Sequence, residues 1–330
     1  MTKLTTPLCE RLGIKLPIVQ APVTTSPDVI AGVSNAGGLG ILQATWLGRD
    51  GTRKSLAAIQ SRTDRPFGAN YVISLMDGDD LDIALDAGVP VISTFWGDPA
   101  PLVPRIHDAG ALALHTVGSA AEARRAVDAG VDVVVAQGIE AGGHVWGQVS
   151  TLVLVPAVVD AVPDTHVIAA GGIADGRGLA AVLALGAGAA WVGTRFVMCE
   201  ENRLHPDHRA RLLAARETDT FYSSLFDIGW PDAPHRVLVN DTVETWLAAG
   251  EPPPGKRPNE GEIVGHYADG EPVPRYSFAD PNGAVTGNVT SMCMYAGQGV
   301  GLVRDEKPVA EIIEEMMKDA GNVLSRLAQA

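Results

Sequence analysis

Short apolar runs recur along this chain, and most are apolar at successive positions instead of at alternate ones. They are Ile18–Ala21, Leu39–Gln43, Gly68–Ile73, Val89–Phe95, Ala111–Thr116, Val131–Gln137, His166–Ala170 and Ala189–Gly193. Strands that are apolar on both faces belong to a parallel sheet covered by helices. Ala-rich helical stretches lie between the runs, for example Ser119–Ala129 and Asp175–Leu185. Several close on one phrase: Asp86-Ala87-Gly88-Val89, Asp108-Ala109-Gly110-Ala111, Asp128-Ala129-Gly130-Val131 and Leu185-Gly186-Ala187-Gly188. Glycine at such a point tolerates the left-handed backbone of a helix C-cap. Eight strand–helix units predict a (β/α)8 barrel, a TIM-type α/β fold for which roughly 250 residues is typical. The rival, a doubly wound open sheet, needs a glycine fingerprint after the first strand, and "APVTTSP" is not one.

The rhythm breaks from about Glu201 to Gly301, where "EPPPGKRPNEGEIVGHYADGEPVPRY" is rich in Pro, Gly and charge, as loops are. The helix-like Pro206–Ala215 leads this region, and helical periodicity returns over Val309–Leu327. The expected organisation is a barrel over 1–200, an inserted cap over 201–300, and a C-terminal helix within 301–330 that packs back on the barrel.

Composition narrows the class. The 330 residues are 46% hydrophobic and 19% charged, and 25 basic against 39 acidic residues give a net charge of −14. Nucleic acid and anionic membrane surfaces call for clustered Lys and Arg, so neither is an expected partner. No run approaches the roughly 18 uninterrupted apolar residues of a spanning helix. "MTKLTTPLCERLGIKLP" lacks the apolar core of a signal peptide. Cys9, Cys199 and Cys293 are too few and too scattered for a disulfide framework or a thiolate metal site. A soluble, cytoplasmic protein is expected.

Chemistry belongs at the C-terminal ends of barrel strands, with phosphate often held after strands seven and eight. Those ends are "AAGGIADGRG" and "WVGTRF". Gly171 and Gly172, the helix that starts near Asp175, and Gly193-Thr194 together read as a phosphate cradle of glycine turns and a helix N-terminus. Taken singly, each is equally an ordinary tight turn. After strand six comes "GIEAGGHVWG", in which Gly142 and Gly143 precede His144. A neutral imidazole at that mouth suits a general base, whereas Glu140 orients the loop or is simply solvated. The other histidines lack such a setting and default to structural or surface roles. Pro22 ends strand one, and Asn70 lies in strand three, where an amide can serve a planar heterocycle or the core. Trp230, Tyr276, Tyr295 and Trp246 form either an aromatic wall over the substrate or the cap's own core, with core favoured for Trp246.

The series "VQAPV", "FGANYV", "AQGIEAGGHVWG", "AAGGIADGRGLAAVLALGA", "WVGTRF" and "YAGQGVG" resembles the nitronate monooxygenase family, long called 2-nitropropane dioxygenases. The likeness runs in order over most of the chain and is weakest between about Arg203 and Asn288. It implies an FMN-dependent barrel with His144 as catalytic base at the substrate. It also implies Gly171, Gly172, Gly193 and Thr194 at the FMN phosphate. Ala21, Pro22, Val23, Asn70, Gln137, Gly142, Gly143 and Ala170 would line the flavin. Tyr295 would reach the substrate and Gln298 the flavin. The chain departs from the family at Val23, where methionine is common, at Thr116, where a longer polar residue is common, and at Gln137, which replaces an acid of some members. The implied reactants are a small nitronate or nitroalkane and O2, with self-association into a homo-oligomer left open. The wider family also holds FMN-dependent NAD(P)H:quinone reductases and enoyl-acyl-carrier-protein reductases. A barrel that only binds a phosphate ligand would keep the glycine turns but have no use for His144.

Overall fold

The computed structural model describes residues 4–329; Met1–Lys3, part of the stretch read above for a signal peptide, lie outside it. Eight parallel strands form the central sheet: β1 (Ile18–Gln20), β2 (Gly40–Gln43), β3 (Phe67–Val72), β4 (Val91–Phe95), β5 (Leu112–Val117), β6 (Val133–Gln137), β7 (His166–Ala170) and β8 (Ala189–Val192). Each pairs with its sequence neighbour, and β1 pairs with β8 in the register Ile18↔Ala190, Val19↔Trp191, Gln20↔Val192. A parallel bridge between Val19 and Leu39 joins β1 to β2 and closes the barrel.

The all-apolar runs are explained by two cores that share the same strands. Successive side chains of a strand point to opposite faces. Val19, Ile41, Val91, Leu114, Val133, Val135 and Ile168 fill the barrel interior, together with Leu8, Cys9 and Leu12 of the helix Pro7–Leu12. Their neighbours Ile18, Leu42, Ile92, Val134, Val167 and Val192 pack outward under the helices. Substituting a charge on either face would bury it.

Several strands start later than the apolar pattern implied, for a specific reason. Val89, Ala111, Val131 and Ala187 each donate their N–H back to Ala84, Ile106, Ala126 and Val182. The glycine before the first three, and Gly186 before the last, has φ between +70 and +96. This is the Schellman closure of a helix, so the repeated phrase belongs to the helix end and the strand begins after it.

The C-terminal helix Val309–Leu327 buries Val309, Ile312, Ile313 and Met316 against the barrel's outer layer. Most of two small antiparallel sheets lies between the eighth strand and this helix. One joins Thr220–Ser223, His235–Leu238 and the two-residue strand Gly143–His144; the other joins Pro272–Pro274, Ile263–His266 and Thr286–Gly287. Among the described residues no helix is long and apolar enough to cross a membrane.

Candidate active site

A cavity of about 1070 Å³ opens at the C-terminal ends of the strands, beneath the residues of the inserted region. Single-ligand pockets are typically about 300–1,000 Å³, so this one has room for a cofactor and a substrate together. Every residue picked from the sequence for the site lines it, except Gln298. Ala21, Pro22 and Val23 contribute from the end of β1, Asn70 from β3 and Ala170 from β7, with Gln137, Gly142 and Gly143 from the β6 side. Gln298 is instead exposed, and its backbone N–H donates to the Glu140 carbonyl at 2.9 Å. It fastens the turn that carries His144 and does not reach the cavity.

At one end Gly171 and Gly172 run at φ +107° and +70°, and Gly193 precedes the short helix Thr194–Val197. An added Cβ at Gly171 would lie 2.7 Å from Thr151 Oγ1, so only glycine brings the backbone this close. The sequence reading also enlisted the helix that follows, and the structure corrects this. The N-terminus of Gly176–Ala184 is already closed by the Asp175 carboxylate, which accepts from the N–H groups of Arg177 and Gly178. The Asp175 carboxylate already supplies an anion at that helix end. The Thr194 hydroxyl accepts from the Gly297 N–H at 3.0 Å and so ties the returning chain to the barrel.

His144 is not on a free loop. It pairs with His235, and Gly143 with Arg236, as the edge strand of the first small sheet. Gln137 holds this strand from below: its amide N–H donates to the His144 carbonyl at 3.1 Å and its amide oxygen accepts from the Trp146 N–H at 3.3 Å. Arg236 donates twice to the Ile139 carbonyl (3.2 and 2.9 Å) and once to Thr220 Oγ1. The carboxylate of Glu140 accepts from both the N–H and the hydroxyl of Thr151 at 2.9 Å, which makes it an orienting group. Gly142 lets two backbones touch, because a Cβ there would lie 2.3 Å from the Gly297 nitrogen.

The His144 imidazole stacks on Trp230 with ring centroids 3.9 Å apart and planes 28° from parallel. Burial, reinforced by neighbouring His235, holds its pKa well below 6.5, so the ring is neutral at physiological pH. Its Nε2 has no protein hydrogen-bond partner. The Tyr295 ring lies 5.5 Å from the imidazole, but its hydroxyl donates to the Phe278 carbonyl at 2.7 Å and is committed to the cap. Of the other aromatics read as wall or core, Trp230 is wall. Tyr276 and Trp246 are core, their polar atoms bonded to the carbonyls of Pro258 and Pro252.

Several site residues escaped the sequence reading. Trp46 and Phe95, at the ends of β2 and β4, line the cavity, as do Phe278, Asp280 and the buried His208. The rule that found His144, a side chain just beyond a barrel strand, would have found Trp46. Nothing in the irregular 201–300 stretch marks His208 or Asp280.

Fold and cavity together define a (β/α)8-barrel enzyme with glycine turns at one end of the cavity and a neutral histidine at the mouth. The chain belongs to the nitronate monooxygenase family, whose model matches residues 5–319. It is similar to the (3aS,4S,5R,7aS)-5-hydroxy-7a-methyl-1-oxo-octahydro-1H-indene-4-carboxyl-CoA dehydrogenase of Mycobacterium tuberculosis, at 37% identity over 73% of this chain and 68% of that one. Among solved structures it resembles FabK from Thermotoga maritima, with a TM-score of 0.82 and 30% identity over 99% of both chains. It also resembles the nitroalkane oxidase of Streptomyces ansochromogenes, with a TM-score of 0.77 and 30% identity over 95% of this chain and 98% of that one.

Proposed function

We propose that this protein is an FMN-dependent oxidoreductase that converts alkyl nitronates, and nitroalkanes once deprotonated, with O2 to carbonyl compounds and nitrite. One observation carries the reading: a buried, neutral imidazole faces the same cavity as paired glycine turns suited to a phosphate. The residues fit the cofactor. Gly171, Gly172, Gly193 and Thr194 would hold its phosphate, and Ala21–Val23, Asn70, Gln137 and Ala170 would line its ring system. When bound, FMN supplies the acceptor for the electron that the nitronate gives up.

The chain's own residues handle the proton. A nitroalkane carries an acidic hydrogen on the carbon beside the nitro group, and a neutral His144 nitrogen takes it as the C–H electron pair moves into the nitronate. The low pKa keeps the imidazole available as a base down to acidic pH. Trp230, Phe95, Val72 and Phe278 surround the site with apolar surface that keeps bulk water from competing for the proton.

General-base help is typically worth about 10²–10⁴-fold, so His144→Ala should cost about that on neutral nitroethane. On ethyl nitronate, which has already lost the proton, the loss should be much smaller. Equal losses on both forms with FMN retained would remove His144 from the role of base. A second reading, redox chemistry on an acyl thioester, draws support from the similarity to a carboxyl-CoA dehydrogenase and from the size of the cavity. Anaerobic mixing with NADH, NADPH and ethyl nitronate in turn separates the two: bleaching of the flavin by a nicotinamide and not by nitronate would favour the thioester.

A further inference from the structure

A histidine that gains a proton in a buried site usually has a carboxylate beside it to orient the ring and offset the charge. His144 has none. Among the described residues its buried Nε2 has no hydrogen-bond partner. The polar groups that face it from each packed element are already committed. From the neighbouring strand, His235 Nδ1 is 2.8 Å from the Ala233 carbonyl, and its Nε2 accepts from the Phe226 N–H at 3.2 Å. Both contacts fix it as the neutral Nδ1–H tautomer. Tyr295, from the segment that returns to the barrel, gives its hydroxyl to Phe278. Glu140 is bound by Thr151, and the Arg236 guanidinium by Ile139 and Thr220.

What lies against the imidazole is Trp230. It is 5% exposed and stacked at 3.9 Å, with Trp96 against it at 5.1 Å and 68° and Trp46 at 5.9 Å and 58°. Trp96 also meets His144 edge-on at 6.0 Å. Its backbone has φ +60°, a conformation that costs energy for a bulky side chain and persists only where the surroundings impose it. The strained residue therefore sits where it can brace both members of the stack.

We propose that Trp230 is a positioning residue for His144: its indole face fixes the plane of the imidazole and stabilises the imidazolium formed when His144 accepts the substrate proton. The electrostatic basis is the attraction between a cation and the negative face of an indole, which is strongest for Trp and grows as water is excluded. The step balances: the C–H bond breaks, the proton joins an imidazole nitrogen, and the electron pair remains in the nitronate. The proposal rests on His144 being the base of the reading above, and the test below keeps the two apart.

The test compares wild type with Trp230→Phe, which keeps a π face, and with Trp230→Leu and Trp230→Met, which fill the space without one. Histidine Cε1–H resonances in ¹³C-histidine-labelled protein are followed against pH, with His144→Gln assigning the signal. A stacked indole moves that resonance upfield. In the Leu and Met variants the resonance should begin to move with protonation about 0.4–1.5 pH units lower than in wild type, with Phe in between. On nitroethane, kcat/KM should fall about 2- to 30-fold for Leu and Met and be largely restored by Phe, with ethyl nitronate nearly unaffected. Identical His144 titration in wild type, Phe and Leu or Met variants overturns the proposal whatever the rates. So does an equal loss on nitroethane and nitronate. If wild type turns over neither compound, the functional reading fails, and the titrations still decide what Trp230 does to His144.

Discussion

His208 offers a quantitative test of how this fold holds its histidines. It lies on the helix Pro206–Ala214, is 2% exposed, and has its ring beside the Pro281 backbone. Burial pushes its pKa from 6.5 down to about 4. The unfolded chain takes up this proton near pH 6.5 and the folded chain only near pH 4, so the unfolded state binds more protons in between. Stability is complete above pH 6.5, falls as pH drops through that interval, and stops falling below about 4. Between pH 7.5 and 5.5 the loss from this one group is on the order of 1 kcal/mol, since each pH unit is worth about 1.36 kcal/mol. His115 and His235, also pushed down to about 4 by burial, act in the same sense. The three together act on a domain whose usual stability is only about 5–15 kcal/mol. His208→Leu replaces a titrating ring with an apolar side chain and gives up its polar contact with the Pro281 backbone. Urea unfolding of both proteins at pH 7.5 and 5.5 reads the effect: the variant should lose less than wild type over that interval, by on the order of 1 kcal/mol. Asp280, raised by burial, has the opposite pH dependence but is common to both proteins and cancels. Equal pH dependence in the two would refute the assignment of His208 as a buried neutral base.

Two further expectations concern the site. Gly193 has an ordinary φ of −102°, and a Cβ there would meet only Val23 and Ala21 at 3.6 and 3.7 Å. Gly193→Asp should therefore fold, yet purify with little flavin because its carboxylate repels the phosphate; a full visible spectrum in the purified variant would remove Gly193 from the phosphate end. Arg236→Met leaves the Ile139 carbonyl without its two donors, a loss of about 1–3 kcal/mol. It should lower the unfolding temperature and reduce turnover of nitroethane with FMN retained, whereas unchanged turnover would mean that the guanidinium does not hold the His144 strand in place.

The barrel was legible because its signals are local and repeated. Each strand had to be apolar on both faces to serve two cores at once, and each Asp-Ala-Gly phrase marks a helix closing by a bond between residues five apart. The same regularity located the glycine turns and His144, since a residue just past a barrel strand faces the mouth wherever the rest of the chain goes. Where a helix carries its own cap, as Asp175 does, the sequence contained the warning, yet the glycines nearby drew the anion-binding reading first.

Tertiary structure alone decided what surrounds that histidine. Trp230 is separated from His144 by 85 intervening positions, and the stretch that carries it has neither helical nor strand periodicity to fix its direction. Gly143–His144 becomes an edge strand only because His235–Leu238 arrives to pair with it, and that pairing sets a neutral His235, a stacked Trp230 and a braced Trp96 around one imidazole. Local propensity places His144 at the mouth; long-range packing in the irregular 201–300 stretch determines its charge and its orientation. The reason is physical: strand ends are set by a short-range repeat, whereas contacts between distant irregular segments depend on the whole fold having formed.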